Sequence, residues 1–93
     1  MHLRHCLLKR ANSYDGLGLL LSADTQTHLK PCIRGVELES PAYHAGLRKN
    51  DRIIYINGIH VENVDFADVL LLIKQGLNNN NLQLSVINES MFP

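Results

Sequence analysis

Hydrophobic and polar positions fall into short blocks separated by Gly, Pro, Asn and Asp, and the period within each block indicates its element. Leu3 to Lys9 is mostly apolar and free of Gly and Pro, which predicts a strand; Arg10 to Gly16 interrupts it. Leu17 to Ser22 reads as a second strand. After the polar stretch from Asp24 to Pro31, a third begins at Cys32 and carries Ile33, Val36 and Leu38. Ser40 is an N-cap candidate, Pro41 suits the first helical position and Gly46 lies just past the end, so Ser40 to Gly46 spells one short helix. The β-branched and aromatic run Arg52 to Ile56 predicts a strand, and Asn57-Gly58 suits the positive φ angles of a tight hairpin returning through Ile59 to Val61. From Asp65 to Gln75, Phe66, Val69, Leu70 and Ile73 recur at helical spacing, with Asp65 as N-cap and Gly76 as terminator. Leu71 and Leu72 extend the apolar surface almost round this helix, which predicts that it is largely buried or lines a groove. A short loop, Asn78 to Asn81, then leads to a last strand in which Leu82, Leu84 and Val86 alternate with polar residues.

Composition narrows what these elements can do. At 93 residues, with 45% hydrophobic and 19% charged side chains, the chain is a single domain able to bury one core without disulfides or metal, and too small for a multi-domain enzyme. The core is expected over residues 3–88, with 89–93 as a flexible tail. Nine basic against nine acidic side chains leave no electrostatic footprint for nucleic acid or an anionic membrane surface. Cys6 and Cys32 are too few for a disulfide framework and read as reduced core thiols. The longest apolar run, Leu17 to Leu21 broken by Gly18, is far short of a membrane span, and the N-terminus has no signal-like apolar core, which predicts a cytosolic domain. His2, His5, His28, His44 and His60 are scattered, and His5 and Cys6 fall on opposite faces of a strand. Neither a base–nucleophile pair nor a metal cluster emerges, so no catalytic activity, metal or cofactor is expected.

With the elements in this order, Gly16-Leu17-Gly18-Leu19 resembles the Gly-Leu-Gly-Phe loop of PDZ domains. Ser40-Pro41-Ala42, Ala45-Gly46-Leu47-Arg48, Asp51-Arg52-Ile53-Ile54 and Ile56-Asn57-Gly58 are similar to further blocks of that family, in its order and at its distances. The resemblance covers nearly the whole chain. It implies a mainly β fold, a six-stranded antiparallel β-sandwich or partly open barrel capped by one short and one long helix. It also implies a non-catalytic scaffold or adaptor module that binds the free C-terminal tail of partner proteins as an added strand between strand two and the long helix. Membrane receptors, channels and junction components are the partners implied, with the domain cytoplasmic, at the inner face of the plasma membrane or cell junctions through those partners. A monomer is expected, with oligomers allowed. The rival reading is a sheet-edge or self-association module that needs no free carboxylate.

By the same resemblance, the ligand carboxylate is received by the loop Gly16, Leu17, Gly18 and Leu19, whose small glycines let successive amides converge on one anion. A supporting basic residue falls on Lys9 or Arg10, with Arg10 favoured, although Ala11 to Asp15 is longer than the family's usual loop. The peptide groove is carried over to Leu20, Leu21, Ser22, Phe66, Leu70 and Ile73, and its terminal pocket to Leu17, Leu19, Leu21, Leu70 and Ile73. Leu17, Leu19 and Leu21 share one face by strand alternation; Leu20 faces the other way, into the core or out from an exposed edge. Many family members have His at the start of the long helix, where it bonds a Ser or Thr two residues before the ligand's end. Here that position holds Phe66, which has no donor or acceptor for a hydroxyl, so a hydrophobic ligand residue is expected there unless the ring packs into the core.

Overall fold

The computed structural model describes residues 2–10 and 16–88. Six strands and two helices follow in the order β1 (Arg4–Leu8), β2 (Leu19–Ser22), β3 (Cys32–Val36), α1 (Pro41–His44), β4 (Asp51–Ile56), β5 (Ile59–His60), α2 (Phe66–Asn78) and β6 (Leu82–Asn88). All strand pairs are antiparallel. They form a single sheet, ordered β1-β6-β4-β3-β2 with β5 attached to β4, and the sheet does not close. Of the two expected forms, the open one is therefore found, and among the described residues β2 hydrogen-bonds a neighbour strand along one edge only.

Strand alternation builds the core. Cys6 and Leu8 of β1, Ile33 of β3, Ile53 and Ile56 of β4, and Leu82, Leu84 and Val86 of β6 point inward and are buried. Helix α2 adds Val69 and Ile73 to the same cluster and Leu72 at its margin. The hairpin from β4 to β5 turns on Asn57 (φ 49°) and Gly58 (φ 81°), the left-handed pair that a two-residue connection needs. Asn57 also ties the hairpin to β6: its Nδ2 donates to the Asn81 carbonyl at 2.8 Å, and its Oδ1 accepts from the Gln83 amide at 2.7 Å. At α1, the buried Ser40 hydroxyl accepts the Tyr43 amide and donates to the Glu37 carbonyl, as the N-cap pattern predicted.

Three expectations are corrected. Gly76 does not end α2; Asn79 is its C-cap, and Asn80, at φ 50°, supplies the left-handed step. Gly76 is a glycine for another reason: a Cβ there would lie 2.8 Å from Leu82 Cδ1, so its absence lets the helix approach β6. Leu38 is not in β3, because the chain turns after Val36 through Glu39 (φ 65°), which leaves Leu38 75% exposed. Nor is Cys32 a core residue; it is half-buried outside the core cluster, while Cys6 lies inside it, and both thiols are free. Burial raises the Cys6 thiol's pKa and keeps it protonated.

One polar feature inside this frame has no counterpart in the periodicity. Asp51 is fully buried at the start of β4, where its carboxylate accepts Arg4 Nη1 at 2.8 Å, Arg4 Nη2 at 3.0 Å and the Arg48 amide at 2.8 Å. Arg4 also donates to the Gly46 carbonyl, so one fork joins β1, β4 and the end of α1. The hydrogen bond to Asp51 is the main reason the Arg4 pKa lies above its ordinary value.

Candidate functional site

β2 ends the described sheet, and the backbone that leads into it turns on two glycines. Gly16 and Gly18 take φ values of 86° and 75°. The Leu17 carbonyl accepts the Ala42 amide at 3.0 Å and the Gly18 carbonyl accepts the Glu37 amide at 2.9 Å, so both carbonyls are tied to the α1 side. In a trans peptide the N–H points opposite the C=O, and the described residues contain no cis bonds. The amides of Gly18 and Leu19 therefore both point away from α1. Two consecutive amides thus face one side, with the left-handed Gly18 between them.

Apolar side chains follow on both β2 and α2. Leu17, Leu19 and Leu21 are half-buried and pack against the core. On α2, Phe66, Leu70 and Ile73 follow at one-turn steps: Ile73 is nearly buried, Leu70 is 45% exposed and Phe66 is half-buried without joining the core cluster. The ring of Phe66 thus lies on the helix flank with Leu70, not inside. Its amide donates to the His28 carbonyl at 2.9 Å, which fixes the start of α2 against the loop after β2. Leu71, expected in a buried or groove-lining belt, is 52% exposed on the outer side of the helix.

Two of the residues assigned to the groove lie elsewhere on β2. Leu20 is 66% exposed on the opposite face, over Gly35, where a Cβ would meet Leu20 Cδ1 at 3.3 Å. Ser22 shares that outer face, accepting Arg34 Nε at 2.6 Å. Arg10 is held at the far end of α2, where its Nη2 donates to Asn78 Oδ1 at 3.0 Å; Lys9 is exposed. The long loop Ala11 to Asp15 and the tail 89–93 lie outside the described residues.

His5 bonds Ser85 at 2.7 Å while Cys6 faces the core, and His44 and His60 sit beside Glu39 and Glu62 on the surface. Among the described residues, no group of three or more His, Cys, Asp or Glu could hold a metal ion, and no helix is long and apolar enough to cross a membrane.

Residues 33–86, more than half of the chain, match a family model described as PDZ domain. The chain belongs to the PDZ domain family. Among curated proteins, this PDZ domain is 46% identical over 73 residues to chicken Na(+)/H(+) exchange regulatory cofactor NHE-RF1, covering 78% of this chain and 21% of that protein. It is 41% identical over 71 residues to the mouse NHE-RF2 cofactor, covering 76% of this chain and 20% of that protein. Human Rap guanine nucleotide exchange factor 6 matches at 29% identity over 83 residues, covering 89% of this chain and 5% of that protein. The chain therefore spans about a fifth or less of these relatives. Among solved structures, the PDZ domain of choanoflagellate SHANK1 bound to a GIRK3 peptide superposes with a TM-score of 0.77 at 24% identity, covering 91% of this chain and 90% of that one. The first PDZ domain of dmPar3, in complex with the dmPar6 PBM, superposes with a TM-score of 0.77 at 26% identity, covering 91% and 93%.

Sequence reasoning missed the Arg4–Asp51 pair, the Asn78 partner of Arg10 and the bond between Ser22 and Arg34. The outward position of Arg34 was available from alternation with the buried Ile33, but its partner depends on how β2 and β3 are staggered. Their register shifts between Leu20 and Leu21.

Proposed function

We propose that this PDZ domain is a non-catalytic interaction module that receives the free C-terminal tail of a partner protein as an added antiparallel strand between β2 and α2. The observation that carries the reading is the pair of amides, Gly18 and Leu19, turned together toward the open end of the β2 edge. A terminal carboxylate supplies the anion for these donors, and the edge amides and carbonyls of β2 supply a ladder for the chain behind it. Leu17, Leu19, Leu21, Leu70 and Ile73 form the apolar surround for the last side chain, which favours Val, Leu, Ile or Phe. Arg10, which Asn78 holds at the C-terminal end of α2, is the basic side chain assigned to support the carboxylate. Phe66 on the helix flank favours a hydrophobic residue two positions before the terminus.

Within its full protein, the domain acts as part of a scaffold or adaptor that gathers membrane receptors, channels or junction proteins at the cytoplasmic face of the membrane. The NHE-RF relatives, the GIRK3-bound SHANK1 domain and the dmPar3–dmPar6 complex support this partner class. The test compares one hydrophobic-ended peptide as free acid and as amide. Hydrogen bonds to a charged group are worth about 1.5–3 kcal/mol each, so amidation should weaken binding at least about tenfold. Equal affinity of the two forms would refute tail recognition and favour edge pairing that ignores the terminus.

A further inference from the structure

The turn between β4 and β5 carries a dipeptide with its own chemistry. Of the nine asparagines in the chain, only Asn57 is followed by glycine. An asparagine side chain cyclises when the next backbone nitrogen reaches its Cγ, and a side chain on that next residue hinders the approach; Gly58 has none. The fold does not crowd the pair either. Asn57 and Gly58 are both exposed, and a Cβ at Gly58 would meet nothing within 4 Å. Asn57 also borders a cavity of about 150 Å³ shared with Gln75, Asn79 and Asn81, so water has room beside its amide. Burial therefore gives Asn57 no protection, and whatever restrains its reaction must act through bonds to the side chain itself.

Those bonds come from the start of β6. Asn57 Nδ2 donates to the Asn81 carbonyl at 2.8 Å, Oδ1 accepts the Gln83 amide at 2.7 Å, and the Asn57 amide donates to the Gln83 carbonyl at 2.9 Å. Nδ2 and Oδ1 are both attached to Cγ, so Cγ cannot swing onto the Gly58 nitrogen while the two side-chain bonds hold. We infer that Asn57 is a deamidation site gated by this latch, reacting only from the state in which the β4–β5 turn has come away from β6. In that open state the Gly58 nitrogen bonds to Cγ and the Cγ–Nδ2 bond breaks. Nδ2 leaves as ammonia, taking the Gly58 amide proton, and a cyclic imide remains. Solvent water then opens the imide at one of its two carbonyls, which leaves either an aspartyl residue or an isoaspartyl residue whose main chain runs through Cβ and Cγ. Neither product restores the latch. A carboxylate has no N–H for the Asn81 carbonyl, so two acceptors would face each other where a 2.8 Å hydrogen bond stood. The isoaspartyl form also lengthens the main chain of the two-residue turn that pairs Ile56 with Ile59. A transient opening is thereby converted into a lasting change that carries an added negative charge.

The experiment incubates the whole chain in neutral buffer, folded and in denaturing urea, and locates deamidation by mass spectrometry of its peptides. Asn78 to Asn81, each followed by a residue with a side chain, serve as internal controls. Turn opening is fast against this reaction, so the rate follows the equilibrium population of the open state. Releasing two hydrogen bonds makes that population small, and Asn57 should react roughly tenfold or more slowly in the folded domain than in the unfolded chain. Exchange of the Gln83 amide, which donates to Asn57 Oδ1, reads the latch directly. Across urea concentrations too low to unfold the domain, Gln83 exchange and Asn57 deamidation should rise in parallel. Equal rates in folded and unfolded chains, no preference for Asn57 over the control asparagines in urea, or different responses of the two readouts to urea would each overturn the inference. The deamidated protein, separated by its added charge, and N57D should both melt several degrees below wild type, since each lacks the donor to Asn81. If the isolated product melts with wild type, the latch is not lost and that part of the inference fails.

Discussion

Gly76 sets two opposed effects against each other at one position, and their magnitudes decide the sign. In Gly76→Ala the backbone keeps its helical conformation, and on an open helix surface the change would stabilise by about 1 kcal/mol through propensity. The site is not open. The new methyl group would stand 2.8 Å from Leu82 Cδ1 and 3.2 Å from both Asn57 Nδ2 and the Asn81 carbonyl oxygen. None of these neighbours yields freely: Leu82 is fully buried, and the two Asn groups are bonded to each other at 2.8 Å. Overpacking of this kind costs about 1–3 kcal/mol, so the propensity gain is outweighed and a net loss of about 1 kcal/mol is expected. For a domain of this size that lowers the Tm by roughly 4–8 °C. Urea denaturation of wild type, Gly76→Ala, Leu82→Ala and the double variant gives the check. In the double variant the methyl fills part of the space left by Leu82, so the two losses should fall short of their sum by about 1 kcal/mol or more. A Gly76→Ala variant more stable than wild type would refute the reasoning, as would losses that simply add.

Gly18→Val should weaken peptide binding by more than tenfold while lowering the Tm only modestly, because a β-branched residue resists the φ of 75° that aims the paired amides and most of the core lies elsewhere; parallel titrations and melts decide it. Phe66→His should reduce or reverse a preference of roughly fivefold for Val over Thr two residues before the ligand's end, about 1 kcal/mol for a side chain in a partly open groove, read by titrating two peptides against both proteins. Asp51→Ala should destabilise the fold by about 3 kcal/mol in urea, because it strands the Arg4 fork and the Arg48 amide, although the partly exposed Arg4 recovers some solvation; a change below about 1 kcal/mol would mean that the fork contributes little.

The alternation of Leu82, Leu84 and Val86, the helical spacing of Val69 and Ile73, the cap Ser40-Pro41 and the turn Asn57-Gly58 all behave in the structure as their local patterns predicted. These features depend on neighbours in sequence, on backbone geometry and on side chains that repeat with the pleat or the turn, and such terms act whatever the rest of the chain does. The family resemblance rested on the same local blocks. Contacts between segments far apart in sequence were not legible in this way. Asp51 read as a polar residue before a strand, and only the approach of β1 and the α1–β4 connection makes it a buried acceptor for Arg4 and Arg48. Gly76 read as a helix stop, because sequence shows a missing side chain but not the leucine on β6 that needs its space. Leu20 could face inward or outward until β2 was placed at the sheet edge, and whether Phe66 joined the core depended on how α2 rolled against the sheet. Local patterning therefore determined which elements form and where the Gly16-Leu17-Gly18-Leu19 loop lies. Tertiary packing decided the roll of α2 and the free edge of β2, since both are fixed by burying Val69, Ile73 and Gly76 against strands that the chain reaches only by folding.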